Sequence, residues 1–143
     1  MGKGNTFCND LLKLIFNATA IANIADNAAS SPLTNLFVAL HTANPGASGT
    51  QATSEAAYGS YGRATVARTT GGWTASASQS TSPVATIAFA AATSGSETET
   101  FGSVGVAISG ATKLLYSGTI TPNIAVSNGV TPQLTTGSTI TEA

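Results

Sequence analysis

The chain has 143 residues, five of them basic and six acidic, for a net charge of −1, a length that fits one domain able to bury roughly two thirds of the surface its unfolded form exposes. Charged residues make up only 8%, against the roughly 25% of an ordinary soluble domain, so little repulsion separates copies and the surface suits lying against other protein. The same inventory argues against three classes: Lys3, Lys13, Arg63, Arg68 and Lys113 are too scattered to grip phosphates, no apolar run approaches the ~20 residues of a spanning helix, and the lone Cys8 allows no disulfide within one chain.

The first element is a helix, predicted over residues 5–25. Phe7, Leu11, Leu14, Ala18, Ile21 and Ala25 recur at alternating spacings of four and three, and Leu12, Ile15 and Phe16 widen the stripe. Asn5 or Thr6 serves as the cap and Asp10 suits the first turn. Asn17, Asn23 and Asn27 weaken the far end, and Ser30-Ser31-Pro32 stops it. Asn9, Asp10 and Lys13 interrupt the apolar run from Phe7 to Phe16, so it does not read as a signal peptide, and synthesis in a reducing cytoplasm is expected.

Asn35 to Thr42 is an unbroken apolar run ending in Ala43-Asn44-Pro45-Gly46, which predicts a central strand covered on both faces. Ala43 to Ser60, rich in Gly, Ala, Ser and Thr, reads as an exposed loop that is mobile unless something covers it. Tyr58 and Tyr61 bring two rings into it, either to meet a partner or to anchor the loop.

From Arg63 the period is two. Arg63 to Arg68 forms a strand, Thr70-Gly71-Gly72-Trp73 a turn, and Trp73 to Ser80 a polar return strand. Val84 to Ala90 follows, with Pro83 at a position where no ladder donor is lost. Thr98 to Ser109 and Lys113 to Thr121 alternate again, Pro122 ends the second of these, and Ile124–Val126, Val130–Thr135 and Ser138–Ile140 complete the pattern. The expectation is one domain, residues 1–143: an N-terminal helix over 5–25, then an antiparallel β-sandwich or jelly roll of about eight short strands over 35–143. Thr and Ser on outward positions keep such a surface wet with few charges.

Chemistry is sparse. His41 has no neighbouring His, Cys or carboxylate in sequence, so neither a zinc site nor a hydrolytic centre is expected. Glu97 and Glu99 stand two apart and would share a strand face, as a glycosidase pair requires, yet such a pair is more commonly a solvated loop end, and calcium would need further oxygens nearby. Met1 to Thr6 fits the myristoylation template, Asn17-Ala18-Thr19 a glycosylation sequon and Gly102-Ser103-Val104-Gly105 a piece of a nucleotide loop; each lacks its required context. No enzyme, metal or cofactor is expected.

Several segments together carry a resemblance: Asn9-Asp10-Leu11-Leu12-Lys13-Leu14-Ile15-Phe16-Asn17, Leu36 to Gly46, Tyr61-Gly62-Arg63-Ala64 with its following Gly-Gly-Trp, and Leu114 to Pro122. In these the chain resembles a family of small virion proteins of tailed phages, often labelled tail fibre proteins. A fibre shaft would show a long repeat or heptads, which this sequence lacks. The jelly-roll reading is similar instead to capsid cement (decoration) proteins of short-tailed double-stranded DNA phages. That resemblance implies a non-enzymatic virion protein on the outer capsid surface, bound as a homodimer across neighbouring major capsid subunits and resisting the pressure of packaged DNA. Its partners would be the major capsid protein and a second copy, with no nucleic acid, membrane or small-molecule substrate. Phe7, Leu11, Leu14, Ile15, Ile21, Tyr58 and Tyr61 are the candidate interface residues. The alternatives are a tail or tail-fibre component and a carbohydrate-binding sandwich that stacks sugars on Trp73, Tyr58 and Tyr61.

Overall fold

The computed structural model describes residues 2–21, 24–25 and 31–143. Asn23, Asp26, Asn27 and Ser30 lie outside these. The chain is mainly β: helix α1 (Asn5–Asn17) precedes β1 (Asn35–His41), β2 (Ala64–Ala67), β3 (Ser80–Thr81), β4 (Ile87–Ala88), β5 (Glu97–Gly105), β6 (Leu114–Val126), β7 (Gln133–Leu134) and β8 (Ile140–Thr141). Among the described residues, one helix and eight strands in antiparallel sheets agree with the expected class. The strands form a four-stranded sheet ordered β2-β1-β5-β6 and the pairs β3-β8 and β4-β7. The residues cluster into two compact units, each assembled from separate stretches: Met1–Asn35, Val66–Ile87 and Leu134–Ala143 in the first, Leu36–Thr65 and Ala88–Gln133 in the second.

In the first unit, α1 ends eight residues before its expected end at residue 25. Asn17 and Thr19 are poor helix formers, and Ala18 turns left-handed at φ 52° while its N–H closes on the Lys13 carbonyl. Ile21 and Ala25 exchange backbone hydrogen bonds of 2.8 Å beyond the helix. The buried face is Cys8, Leu12 and Phe16, one residue round from the stripe centred on Phe7, Leu11 and Leu14. Phe16 meets Trp73 edge to face, with ring centroids 4.8 Å apart. Arg68 donates to the carbonyls of Leu14, Ile15 and Leu33, placing a cation on the last turn of the helix where the dipole favours it.

The predicted return strand over Trp73 to Ser80 does not form. Pairing is confined to its ends, where Trp73 bridges Pro83 and Ser80 opens β3 opposite Thr141; the Ala and Ser between have no apolar alternation to pin a register. Asn9 holds that segment instead, its Oδ1 accepting from Ser76 Oγ at 2.7 Å and from the Gln79 N–H at 2.6 Å.

In the second unit, β1 is covered on both faces as expected. Leu36, Val38 and Leu40 are at most 2% exposed on one side, and Ala39 and His41 are fully enclosed on the other. β1 pairs with β5 from Phe37 opposite Gly105 to His41 opposite Phe101. Pro122, expected to end a strand, lies inside β6. That strand is the sheet's edge, where a missing N–H on the outer side costs nothing. Its register against β5 jumps from Glu99 opposite Ile124 to Phe101 opposite Thr119, so residues 120–123 loop out of the ladder.

The helix gives a direct test of which face is the core. Phe16→Ala removes a fully buried ring and should cost about 3–5 kcal/mol in denaturant unfolding. Phe7→Ser, at a position 38% exposed, should cost less than about 1 kcal/mol.

Candidate functional site

The long segment after β1 is exposed over much of its length, as expected, while Pro45, Gln51, Ala56 and Tyr58 are buried and hydrogen bonds tie it to the body. It runs antiparallel to the end of β1, with the Thr42 N–H on the Ser54 carbonyl and the Ala56 N–H on the Leu40 carbonyl, both 2.9 Å. Gln51 is fully enclosed and donates from Nε2 to the Phe37 carbonyl at 2.9 Å. It lies against Gly105, where any Cβ would collide with its amide group.

Arg63, 6% exposed, is the centre of this cluster. It grips Glu55 with a two-pronged fork, Nε to Oε1 at 2.7 Å and an Nη to Oε2 at 2.8 Å. Its remaining donors reach the carbonyls of Ala107 at 2.9 Å and Gly110 at 2.7 Å, Thr112 Oγ1 at 3.1 Å and Gln51 Oε1 at 3.3 Å. One guanidinium thus ties the long loop to the turn between β5 and β6. The bond to Glu55, more than offsetting burial, holds the Arg63 pKa above its ordinary value.

His41 completes the cluster. Its Nδ1 lies 2.9 Å from the Thr53 carbonyl, which can only accept, so Nδ1 carries the proton; Nε2 then accepts from Ser103 Oγ at 2.8 Å. Burial pushes the imidazole pKa down, which favours this neutral form. A serine hydroxyl on a histidine held by a third group is the layout of a nucleophile and its base. Here His41 is fully enclosed, Ser103 is 3% exposed, and a carbonyl stands where a carboxylate would stabilise an imidazolium. The trio is a lock between β1, β5 and the loop.

The expected interface residues are divided between surface and interior. Phe7 is exposed, Leu11, Leu14 and Ile15 are half-buried along one side of α1, and Ile21 is buried. Tyr58, 3% exposed, donates from its hydroxyl to the Ala90 carbonyl at 3.2 Å. Tyr61 is half-buried, donates to Glu55 Oε1 at 3.1 Å and accepts the Leu40 N–H at 3.1 Å, and burial raises its pKa. The two rings meet edge to face at 5.3 Å, and Tyr61 stacks on Phe89 at 6.3 Å. Both tyrosines are therefore anchors for the loop, and Trp73, 2% exposed, has no free face for a sugar.

Glu97 and Glu99 do not form a solvated loop end. Glu97 Oε1 accepts the N–H groups of Ala57 at 2.8 Å and Tyr58 at 2.9 Å. Glu99 is fully enclosed, and neither of its carboxyl oxygens meets a donor. No sugar reaches such a pair. Among the described residues no group of three or more His, Cys, Asp and Glu is placed to hold a metal ion, and no helix is long and apolar enough to cross a membrane. Sequence reasoning missed Gln51, Glu55, Arg63 and Ser103. The one available signal was the presence of an arginine and a glutamate in a loop of a chain that has so few charges.

A family model described as podophage GP4 fiber I protein gp80 matches residues 5–142. No curated protein matches the chain.

Removing the central cation tests the cluster. Arg63→Ala would strand Glu55 and the carbonyls of Ala107 and Gly110, and should cost about 3–5 kcal/mol in chemical unfolding. Arg63→Lys should recover only part of this, because an ammonium has no fork to match the carboxylate.

Proposed function

The chain belongs to the podophage GP4 fiber I protein gp80 family and is thus a structural protein of short-tailed phage particles, and we propose that within the particle it is a capsid cement protein. In this reading it sits on the outer shell as a dimer, joins neighbouring major capsid subunits, and adds buried area across the joints that packaged DNA would open first. The observation that carries the proposal is the free edge of the main sheet. β6 has 13 residues, stands at the end of the sheet order beside β5, and is exposed at Ser117–Thr119 and Thr121–Asn123, so its outer side is open to a further strand. From Leu114 to Val126 it carries no charged residue, so a second copy can align with it antiparallel without like-charge repulsion.

The half-buried side of α1, with Phe7, Leu11, Leu14 and Ile15, supplies the surface for the capsid subunit. Many weak joints of this kind add up, because a two-armed clamp holds its second arm at high effective concentration. The family's description as a fibre protein favours a second reading, a tail or fibre component. Against a fibre shaft stands the lack of any long repeat or heptad run; α1, at 13 residues, is about 20 Å long.

Copy number separates the two. Quantitative mass spectrometry of purified particles should find hundreds of copies, retained in tail-less heads; a few copies lost with the tail would assign the chain to the fibre. Thr119→Lys, which puts a charge on the exposed part of β6, should shift the purified protein from dimer to monomer in sedimentation with its circular dichroism unchanged. A dimer that survives this change would remove β6 from the interface.

A further inference from the structure

We propose that Glu97 and Glu99 share one proton inside the second unit, and that losing this proton loosens the Ala57–Tyr58 segment that Glu97 holds. Both residues lie on β5, two apart. Glu97 faces the loop and its Oε1 accepts two backbone N–H groups. Glu99 has the opposite surroundings. Each of its oxygens has less than 1 Å² exposed and no donor to meet. An ionised carboxylate in that position would be uncompensated, which is among the most costly arrangements in a protein interior.

The group placed to hydrogen-bond Glu99 is the other carboxylate, Glu97. Two carboxylates cannot hydrogen-bond unless one of them keeps its proton, and then the neutral partner donates to the charged one. Burial first, then hydrogen bonding and like charge from Glu97, push the Glu99 pKa up to about 7. The other titratable group acting here is Tyr58, which follows the long loop's Ala57 onto Glu97. Burial and the two carboxylates raise its phenol to about 12, so it stays neutral. From β6 the residue opposite Glu99 is Ile124, which brings no charge.

A proton suits the site better than a metal ion. The Glu99 oxygens are closed to solvent, and Glu97 has one oxygen already committed, so too few ligands remain for calcium. The pair therefore responds to pH. Below the ordinary pKa of 4.5 Glu99 is protonated whether the chain is folded or not, and its contribution to stability is fully present. As pH rises from there through about 7 the unfolded chain gives up its proton first, so the contribution declines and is lost above that point. His41 acts in the other direction. Its depressed pKa gives stability that is present above 6.5 and lost as pH falls below it.

The test compares the full chain with Glu99→Gln, so that His41 cancels. Thermal unfolding between pH 5 and pH 8 should show the wild type losing stability relative to the variant as pH rises, and amide protection at Ala57 and Tyr58, corrected for the intrinsic rise of exchange with pH, should fall in the wild type alone. Parallel pH profiles would overturn the proposal. Should the variant fail to fold, carboxyl carbon NMR of the wild type decides by itself: among Glu55, Glu97, Glu99 and Glu142, one signal must titrate near neutrality. Four signals that all titrate below pH 5 would sink it. Restoration of wild-type stability at pH 8 by millimolar calcium chloride would give the pair to a metal ion, which also overturns it.

Discussion

Arg63 carries a permanent charge into the interior of the second unit, and the chain around it is arranged to make that possible. A guanidinium removed from water costs several kcal/mol unless its donors are matched, and here the carboxylate of Glu55, two carbonyls, a hydroxyl and an amide oxygen meet it. The acceptors come from the loop after β1 and from the turn between β5 and β6. Moving either one leaves a buried group without its partner. An otherwise formless run of Gly, Ala, Ser and Thr is held in one conformation because few alternatives keep every donor satisfied.

The lock of His41, Ser103 and Thr53 works by the same rule with neutral groups. Depressing the imidazole pKa, which in a catalytic site would tune a base, here keeps an enclosed ring uncharged. Gln51 connects the two parts, since its amide oxygen takes an Arg63 proton while its nitrogen reaches Ser103 at 3.4 Å. Glu99 stands outside this economy. On a strand whose other buried polar residue, Ser103, is paired, it alone among these enclosed side chains meets no donor, and a proton taken from solvent is the simplest way to neutralise it.

Much of the sheet was legible in the sequence because its signals are local. β1 is a continuous apolar run and β2 alternates, so burial and period agree with the backbone there, whereas β5 is buried on three successive residues at its end. What was misread depended on tertiary context. α1 stops at Asn17 because the following residues turn away, although the apolar spacing continues to Ala25. Pro122 fails to end a strand because β6 is an edge, and edge position cannot be read from a single strand's residues. Trp73 to Ser80 looked like a polar strand, yet Asn9, some seventy positions away, sets its path. The cluster was hidden for the same reason: Arg63 lies 44 to 49 residues from Ala107, Gly110 and Thr112, and nothing local tells a buried arginine from a solvated one.

Spending charges internally has a consequence for the exterior. Arg63 and Glu55 are committed to one another, Arg68 to carbonyls at the end of α1, Glu97 to loop N–H groups and Glu99 to the interior. In a chain with five basic and six acidic residues, few charges are left to face water or to repel a neighbouring copy. A surface of this kind gains little from long-range steering and must bind by fit. Fit in turn rewards loops already fixed before contact, since ordering them at the moment of binding would cost about 0.5–1.5 kcal/mol for each immobilised side chain. The internally bonded loop and the uncharged β6 edge are thus two sides of one arrangement, a surface that meets a neighbour by fit more than by charge.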